Sequence, residues 1–307
     1  MVIEQYKNFG KTAVLRCGKL MARVTLDVGP RIIHFGFEDF NFLYEDTERK
    51  ASNGGEFFDK TYGASEKWYL YGGHRIWKSP ETLESYAPDN YPVEYGEEGN
   101  GGVFSAPYGK SGLVAELKTR FSDCGFIIEN TLKNAGENAV SLAIWPLTAV
   151  KRGGLLMVKT KNRDRGYLPA KNLVFWPYSD LKDERLFIGK NLVMLRQTKK
   201  PEPFKIGLYL DSPRAFYATE KGLLSIEFED PKPLENALLT CSNYPDFYCN
   251  FESYTNGEFL EIEGLGRMVT LAAGESVTLR EVWRVFDDFN PKEINETAVL
   301  AELEKYC

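Results

Sequence analysis

The sequence predicts an all-β protein, a sandwich of antiparallel strands with a short helix at the C-terminus. Segments rich in aromatic and β-branched residues recur along the chain, and apolar and polar residues alternate within them. Glycine and Asn-Ala-Gly turns close many of these segments. With 307 residues and 43% hydrophobic content, the chain can bury a substantial core. Sandwiches of this size are often single units, so we expect one domain over residues 1–307.

The strand predictions follow this alternation. They fall at residues 12–16, 22–26, 31–37, 114–121, 126–132, 139–147, 155–159, 192–196, 205–210, 215–219, 223–228, 259–263 and 277–285. Residues 45–70 and 78–112 are rich in Gly, Asn, Ser, Pro and Tyr and are predicted to be long loops. Long loops over a rigid sheet often carry a binding site.

Only the C-terminal segment has a clear helical pattern. Asn290 is a suitable N-cap, and Pro291 suits the first helical position. Apolar residues then recur with helical spacing up to Leu303. We therefore predict a packing helix over residues 290–306.

The composition argues against several classes of function. The net charge is −6 and the 38 basic residues are spread along the chain, which disfavours nucleic acid and anionic membranes as partners. The N-terminus lacks a signal-peptide core and no run approaches ~18 apolar residues, so we expect a cytoplasmic protein. The five cysteines lack C-x-x-C spacing and indicate free thiols.

No motif for a cofactor is found. The sequence lacks a Walker loop, a Rossmann fingerprint, a G-x-S-x-G elbow and an H-E-x-x-H motif. Its two histidines are far apart and do not supply a usual zinc triad. We therefore predict neither a cofactor nor a transition metal, while calcium bound by carboxylates stays open.

Residues 244–266 place carboxylates among aromatic residues. Glu261 and Glu263 have the same strand parity, opposite to that of Leu260 and Ile262, so both acids should project from one face. Their repulsion and partial burial should raise one of the two pKa values. The alternative is a solvated pair on an edge strand.

A second segment, residues 68–81, combines Tyr71, His74, Arg75 and Trp77. Flat aromatic rings can stack on the C–H faces of a sugar while arginine and histidine bind its hydroxyls, so this mixture suits a carbohydrate. The alternative is a polar turn against the core, in which His74 bonds to the backbone and Arg75 pairs with a nearby glutamate.

Several motifs together resemble one family. They are Gly29-Pro-Arg-Ile-Ile33, Gly72-Gly-His-Arg-Ile-Trp77, Ala143-Ile-Trp-Pro-Leu-Thr148, Phe175-Trp-Pro-Tyr-Ser-Asp180, Asn250-Phe-Glu252 and Glu281-Val-Trp283. Over roughly residues 25–285 the chain resembles bacterial proteins of the galactose mutarotase-like superfamily, in particular an uncharacterised aldose 1-epimerase-like branch. The resemblance implies a β-supersandwich that binds a sugar on one face.

The resemblance also implies an isomerase that opens the sugar ring and interconverts anomers. In the family, a late glutamate takes the proton of the anomeric hydroxyl and a histidine protonates the ring oxygen. Glu261 matches that glutamate, with Glu263 as the alternative match. The usual histidine pair is missing, because the chain contains only His34 and His74, and we expect His74 to serve as the acid.

The remaining candidates are substrate contacts. They are Arg75, Glu263, Trp77, Tyr71, Glu252, Asp180 and Trp145. For the aromatic residues the alternative is a place in the core, and for Asp180 it is an ordinary polar turn. Two other functions stay open: a sugar-binding domain without catalysis, and a lyase acting on uronates.

Overall fold

The alternating segments form two large antiparallel sheets in a computed structural model of the protein. The structure describes residues 1–64, 66–123, 125–160, 171–210, 213–229 and 249–306. Within these ranges the strands, numbered in chain order, are β1 (Val2–Gln5), β2 (Lys11–Cys17), β3 (Leu20–Thr25), β4 (Ile32–Phe37), β5 (Phe40–Asn41), β6 (Ser52–Asn53), β7 (Trp68–Tyr69), β8 (Gly73–Ser79), β9 (Glu94–Glu98), β10 (Gly101–Pro107), β11 (Leu113–Ser122), β12 (Gly125–Asn134), β13 (Val140–Val150), β14 (Leu155–Lys159), β15 (Leu173–Phe175), β16 (Leu186–Ile188), β17 (Leu192–Arg196), β18 (Phe204–Leu208), β19 (Arg214–Thr219), β20 (Gly222–Glu229), β21 (Phe251–Thr255), β22 (Leu260–Gly264), β23 (Val269–Leu271) and β24 (Ser276–Phe286). The helices are α1 (Glu56–Tyr62) and α2 (Glu296–Leu303), with short 3-10 turns at Lys7–Phe9, Leu83–Tyr86 and Glu304–Tyr306.

The first sheet follows the order β1-β2-β3-β4-β8-β13-β22-β21-β18-β15, with β5 beside β4 and β23 beside β13. The second sheet follows the order β16-β17-β14-β19-β20-β24-β12-β11-β10-β9. Strands β6 and β7 form a separate small sheet.

The two large sheets share one apolar core. Phe35 on β4 of the first sheet stacks on Phe126 of β12, with ring centroids 5.2 Å apart. It also meets Trp283 of β24 edge-on at 5.1 Å, so one side chain bridges both sheets. Strand β11 shows why these segments are strands, since its residues alternate strictly between buried and partly exposed positions. The predicted all-β sandwich is confirmed.

Two predicted loops contain regular structure. Strands β9 and β10 lie within residues 78–112, where glycine was interpreted as a loop signal. A Cβ atom at Gly101 would lie 1.8 Å from the carbonyl oxygen of Thr119, so this glycine allows β10 to approach β11 closely. Helix α1 lies within residues 45–70 and buries Phe58 and Tyr62, one helical turn apart.

The C-terminal helix is present but begins later than predicted. Its N-cap is Asn295, whose Oδ1 accepts a hydrogen bond from the Ala298 amide at 2.9 Å, and not Asn290. The helix buries Val299 and Leu303 in a second apolar cluster on the far side of the second sheet. These two side chains are four residues apart and therefore lie on one face of the helix, toward that sheet. Neither helix of the described ranges has the length and apolar character needed to cross a membrane.

Candidate functional site

Polar and aromatic side chains share the face of the first sheet that is turned away from the second sheet, here called the outer face. It carries Arg75 and Trp77 on β8, Trp145 on β13, Glu261 and Glu263 on β22, Glu252 and Tyr254 on β21, and Lys205 on β18. Directly paired residues of neighbouring strands project to the same side, which places Trp145 beside Trp77 and Glu252 beside Glu263. Leu260 and Ile262 point into the core, as predicted from parity.

Lys205 lies at the centre of a buried charge cluster. Its Nζ is 2.6 Å from Glu252 Oε2 and 3.0 Å from Glu263 Oε2. The indole Nε1 of Trp145 donates to the same Glu263 oxygen at 3.0 Å, and Cys249 Sγ donates to Glu252 Oε1 at 3.2 Å. Burial alone would lower the pKa of Lys205, but the two carboxylates raise it well above its usual value. The ammonium therefore stays charged.

Glu261 and Glu263 are an interacting pair with different surroundings. Burial raises the pKa of Glu263, but the contacts with Lys205 and Trp145 oppose this effect. Glu261 is partly exposed, and its carboxyl group makes no hydrogen bond within the described part of the chain. Burial, followed by the charge of Glu263, raises the pKa of Glu261 to about 8. Glu261 is therefore the member of the pair that holds a proton at pH 7, while Lys205 and Trp145 favour the carboxylate form of Glu263.

The guanidinium of Arg75 lies near this pair. Its guanidinium lies between two indoles, 3.9 Å from the ring centroid of Trp77 and 4.6 Å from that of Trp68. Considering the described residues, it makes no hydrogen bond or ion pair, so the alternative in which Arg75 pairs with a nearby glutamate is not formed. Burial lowers the pKa of Arg75 to about 10, which still leaves it charged at pH 7.

The prediction that His74 lies beside Glu261 is wrong. The segment 73–79 is a strand, so His74 and Arg75 project to opposite faces of the first sheet. Gly73, with φ +69°, permits this start, because a Cβ there would lie 2.3 Å from the Ile32 carbonyl oxygen. His74 Nδ1 bonds to Thr148 Oγ1 at 2.9 Å and Nε2 to Asn130 Oδ1 at 2.8 Å, inside the core. Burial lowers its pKa to about 4, so the ring is neutral.

Tyr71 and Asp180 also lie outside the charge cluster. The Tyr71 ring packs with Phe9 and Ile33, and its hydroxyl donates to Asn90 Oδ1 at 2.7 Å. Asp180 Oδ1 accepts a hydrogen bond from the Lys182 amide at 2.9 Å and closes a polar turn. These contacts agree with the structural alternatives that the sequence left open for both residues.

Solved structures of very different sequence share this fold. A protein from Synechocystis matches 90% of this chain and 96% of its own length, with a TM-score of 0.57 at 10% identity. A galactose mutarotase-like protein from Lactobacillus casei matches 90% of this chain and 100% of its own, with a TM-score of 0.52 at 12% identity. Another, from Clostridium acetobutylicum, matches 93% and 98%, with a TM-score of 0.51 at 10% identity. The chain has the galactose mutarotase-like fold. No protein-family model matches the sequence, and no curated protein is significantly similar to it.

Within the galactose mutarotase-like fold, the residue that sequence reasoning missed is Lys205. Apolar Phe204, Ile206 and Leu208 alternate with Lys205 and Gly207 along its strand. Lysine is rarely buried unless it is paired, so a lysine in this apolar strand could have indicated a buried ion pair. Its partners could not be deduced, because Glu252 and Glu263 come from strands more than forty residues later that only the sheet order brings alongside.

Proposed function

We propose that this protein binds a cyclic aldose on the outer face of the first sheet and interconverts its anomers by opening the ring. In this proposal Glu261 exchanges the proton of the anomeric hydroxyl, Arg75 binds sugar hydroxyls, and Trp77 contributes an aromatic wall. The observation that carries it is the carboxyl group of Glu261, which is partly exposed near the Arg75 guanidinium and its two indoles; neither polar group has a hydrogen-bond partner among the described residues. Such a mixture of aromatic rings and directed polar groups suits a sugar.

The charge balance of the site supports a neutral ligand. Lys205 and Arg75 contribute two positive charges, and the carboxylates of Glu252 and Glu263, both in ion pairs with Lys205, balance them. Glu261 is uncharged below about pH 8. These buried charges cancel. An uncharged sugar that displaces water from the site therefore leaves no uncompensated charge without solvent.

Anomer exchange followed by NMR tests the proposal directly. A panel of aldoses is incubated with catalytic amounts of protein, and the exchange rate between anomers is compared with that in buffer alone. We expect acceleration that Glu261→Gln reduces at least ~100-fold, since general acid–base groups contribute about that much. The matched control is Glu258→Gln, an exposed glutamate in the turn before β22, which should leave the rate unchanged. No acceleration with any aldose would refute the isomerase.

One observation favours a second candidate, a sugar-binding domain without catalysis. Neither histidine of the sequence lies beside Glu261, because His74 is in the core and His34 is on β4, three strands away from β22. A binder would quench or shift tryptophan fluorescence and raise the melting temperature on adding sugar, without accelerating exchange.

A further inference from the structure

Anomer interconversion moves two protons, one off the anomeric hydroxyl and one onto the ring oxygen. His74 lies in the core, and His34 projects from the outer face of β4, three strands away from β22, so the second proton needs another source. The titratable groups that influence Glu261 come from five elements. They are Glu263 on the same strand, Arg75 on β8, Tyr254 on β21, Lys205 on β18, and Glu81 and Tyr86 in the segment after β8.

The cations and phenols of this group are poor proton donors near neutral pH. Lys205 contacts two carboxylates that raise its pKa, and Arg75 keeps its charge. The Tyr86 hydroxyl donates to Glu81, and burial raises the pKa of Tyr86 far above 10. Burial likewise raises the pKa of Tyr254. An effective acid has a pKa near the working pH, so none of these four suits the task.

Glu263 makes contacts that favour its carboxylate form. Its Oε2 accepts two hydrogen bonds, from Lys205 Nζ and Trp145 Nε1, each at 3.0 Å. Its side chain is fully buried, whereas that of Glu261 is partly exposed. Both oxygens of Glu261 are free of hydrogen bonds from the described residues. Glu81 already accepts the Tyr86 hydroxyl, so Glu261 is the carboxyl group of this set with both oxygens available, one as a donor and the other as an acceptor.

We propose that the Glu261 carboxyl group carries out both proton transfers, its hydroxyl oxygen protonating the sugar ring oxygen while its carbonyl oxygen takes the proton of the anomeric hydroxyl. The bond between the anomeric carbon and the ring oxygen breaks, and its electron pair stays on the ring oxygen. The electron pair of the broken O–H bond forms the new carbonyl bond of the open sugar. The carboxyl group ends protonated on its other oxygen, so no charge is created and no further reactant is needed.

The electrostatics of the site support this role. The active form is the neutral acid, and burial together with the charge of Glu263 raises the pKa of Glu261 to about 8. The neutral acid is thus the main form at pH 7. Rotation of the sugar about the bond next to its open carbonyl, followed by the reverse transfers, gives the other anomer.

The dependence of exchange on pH tests this assignment, which rests on the proposed anomer exchange. Wild-type rates are measured by NMR at saturating sugar from pH 6 to pH 9.5, with the buffer rate subtracted. We expect a plateau up to about pH 7.5 and a fall of about tenfold per pH unit above the pKa of about 8. Sugar binding, followed by tryptophan fluorescence at each pH, should stay within about twofold, which separates a loss of catalysis from a loss of binding.

Other profiles overturn the assignment in distinguishable ways. A rate that rises with pH through 8 would mean that Glu261 acts as a base only, and a bell-shaped profile would require a second titrating group. In both cases the anomer exchange survives and the single-residue role does not. No exchange at any pH would refute both the proposed anomer exchange and the role of Glu261 in it. The wild-type profile does not depend on whether a variant folds, and Glu258→Gln should reproduce it.

Discussion

Replacing Lys205 by methionine tests whether charge holds the outer face together. In the wild type the ammonium lies 2.6 Å from Glu252 and 3.0 Å from Glu263, and the three side chains are at most 7% exposed. Methionine keeps an unbranched apolar stem but carries no charge. The variant therefore leaves two carboxylates buried without their cation, which is the costly way to break a buried ion pair.

The expected magnitude follows from the cost of neutralising a carboxyl group. Protonating a glutamate of ordinary pKa 4.5 at pH 7 costs about 3.4 kcal/mol, at about 1.36 kcal/mol per pH unit. If the folded variant protonates one of the two acids, its unfolding free energy should fall by that amount. At pH 5 the same protonation costs about 0.7 kcal/mol, so most of the loss should disappear there.

Urea unfolding, followed by tryptophan fluorescence at pH 7 and pH 5, measures this difference. The matched control is Lys60→Met on α1, whose ion pair with Glu56 is 69% and 86% exposed. It should change the unfolding free energy by no more than ~0.5 kcal/mol at either pH. A loss for Lys205→Met below ~1 kcal/mol at pH 7, or an equal loss at both pH values, would refute the reasoning.

Three further outcomes are expected. Trp145→Phe removes the indole donor to Glu263 and should lower the unfolding free energy by ~1–3 kcal/mol in urea; no loss would mean that this bond is not formed. His74→Ala removes the ring that bonds to Thr148 and Asn130 in the core and should lower the unfolding free energy by ~2–4 kcal/mol. The folded fraction of this variant should keep the wild-type pH profile of exchange. A changed profile would mean that His74 takes part in the reaction. Burial raises the pKa of Glu281 to about 8, whereas in the unfolded chain its pKa is near 4.5. Between these two pH values the folded state holds a proton that the unfolded chain releases. The unfolding free energy should therefore fall as the pH rises from 4.5 to 8, by up to ~1.4 kcal/mol per pH unit. Glu281→Met should weaken that slope in unfolding experiments from pH 5 to pH 8, and an unchanged slope would show that Glu281 is ionised in the fold.

The outer-face pair was predictable because strand parity is a local property. A period of two assigns Glu261 and Glu263 to one face and the apolar residues between them to the other, whichever strands lie alongside. Strand parity was not applied to His74 and Arg75, which were predicted to lie together in one segment that contacts the sugar. In the structure a strand begins at Gly73, and adjacent residues of a strand cannot share a face.

The sequence by itself determined the all-β class, the alternation that builds both sheets, the presence of a C-terminal helix and the shared face of two acids. These follow from backbone geometry and side-chain polarity over a few neighbouring residues. The tertiary structure alone decided which charges meet. Lys205 and Glu263 lie 58 residues apart in the chain and 3.0 Å apart in space, and that contact, with the burial around it, gives the two glutamates different proton affinities. Proton affinity depends on solvent exclusion and on the nearest charges, and both are set by how distant strands are ordered in the sheet.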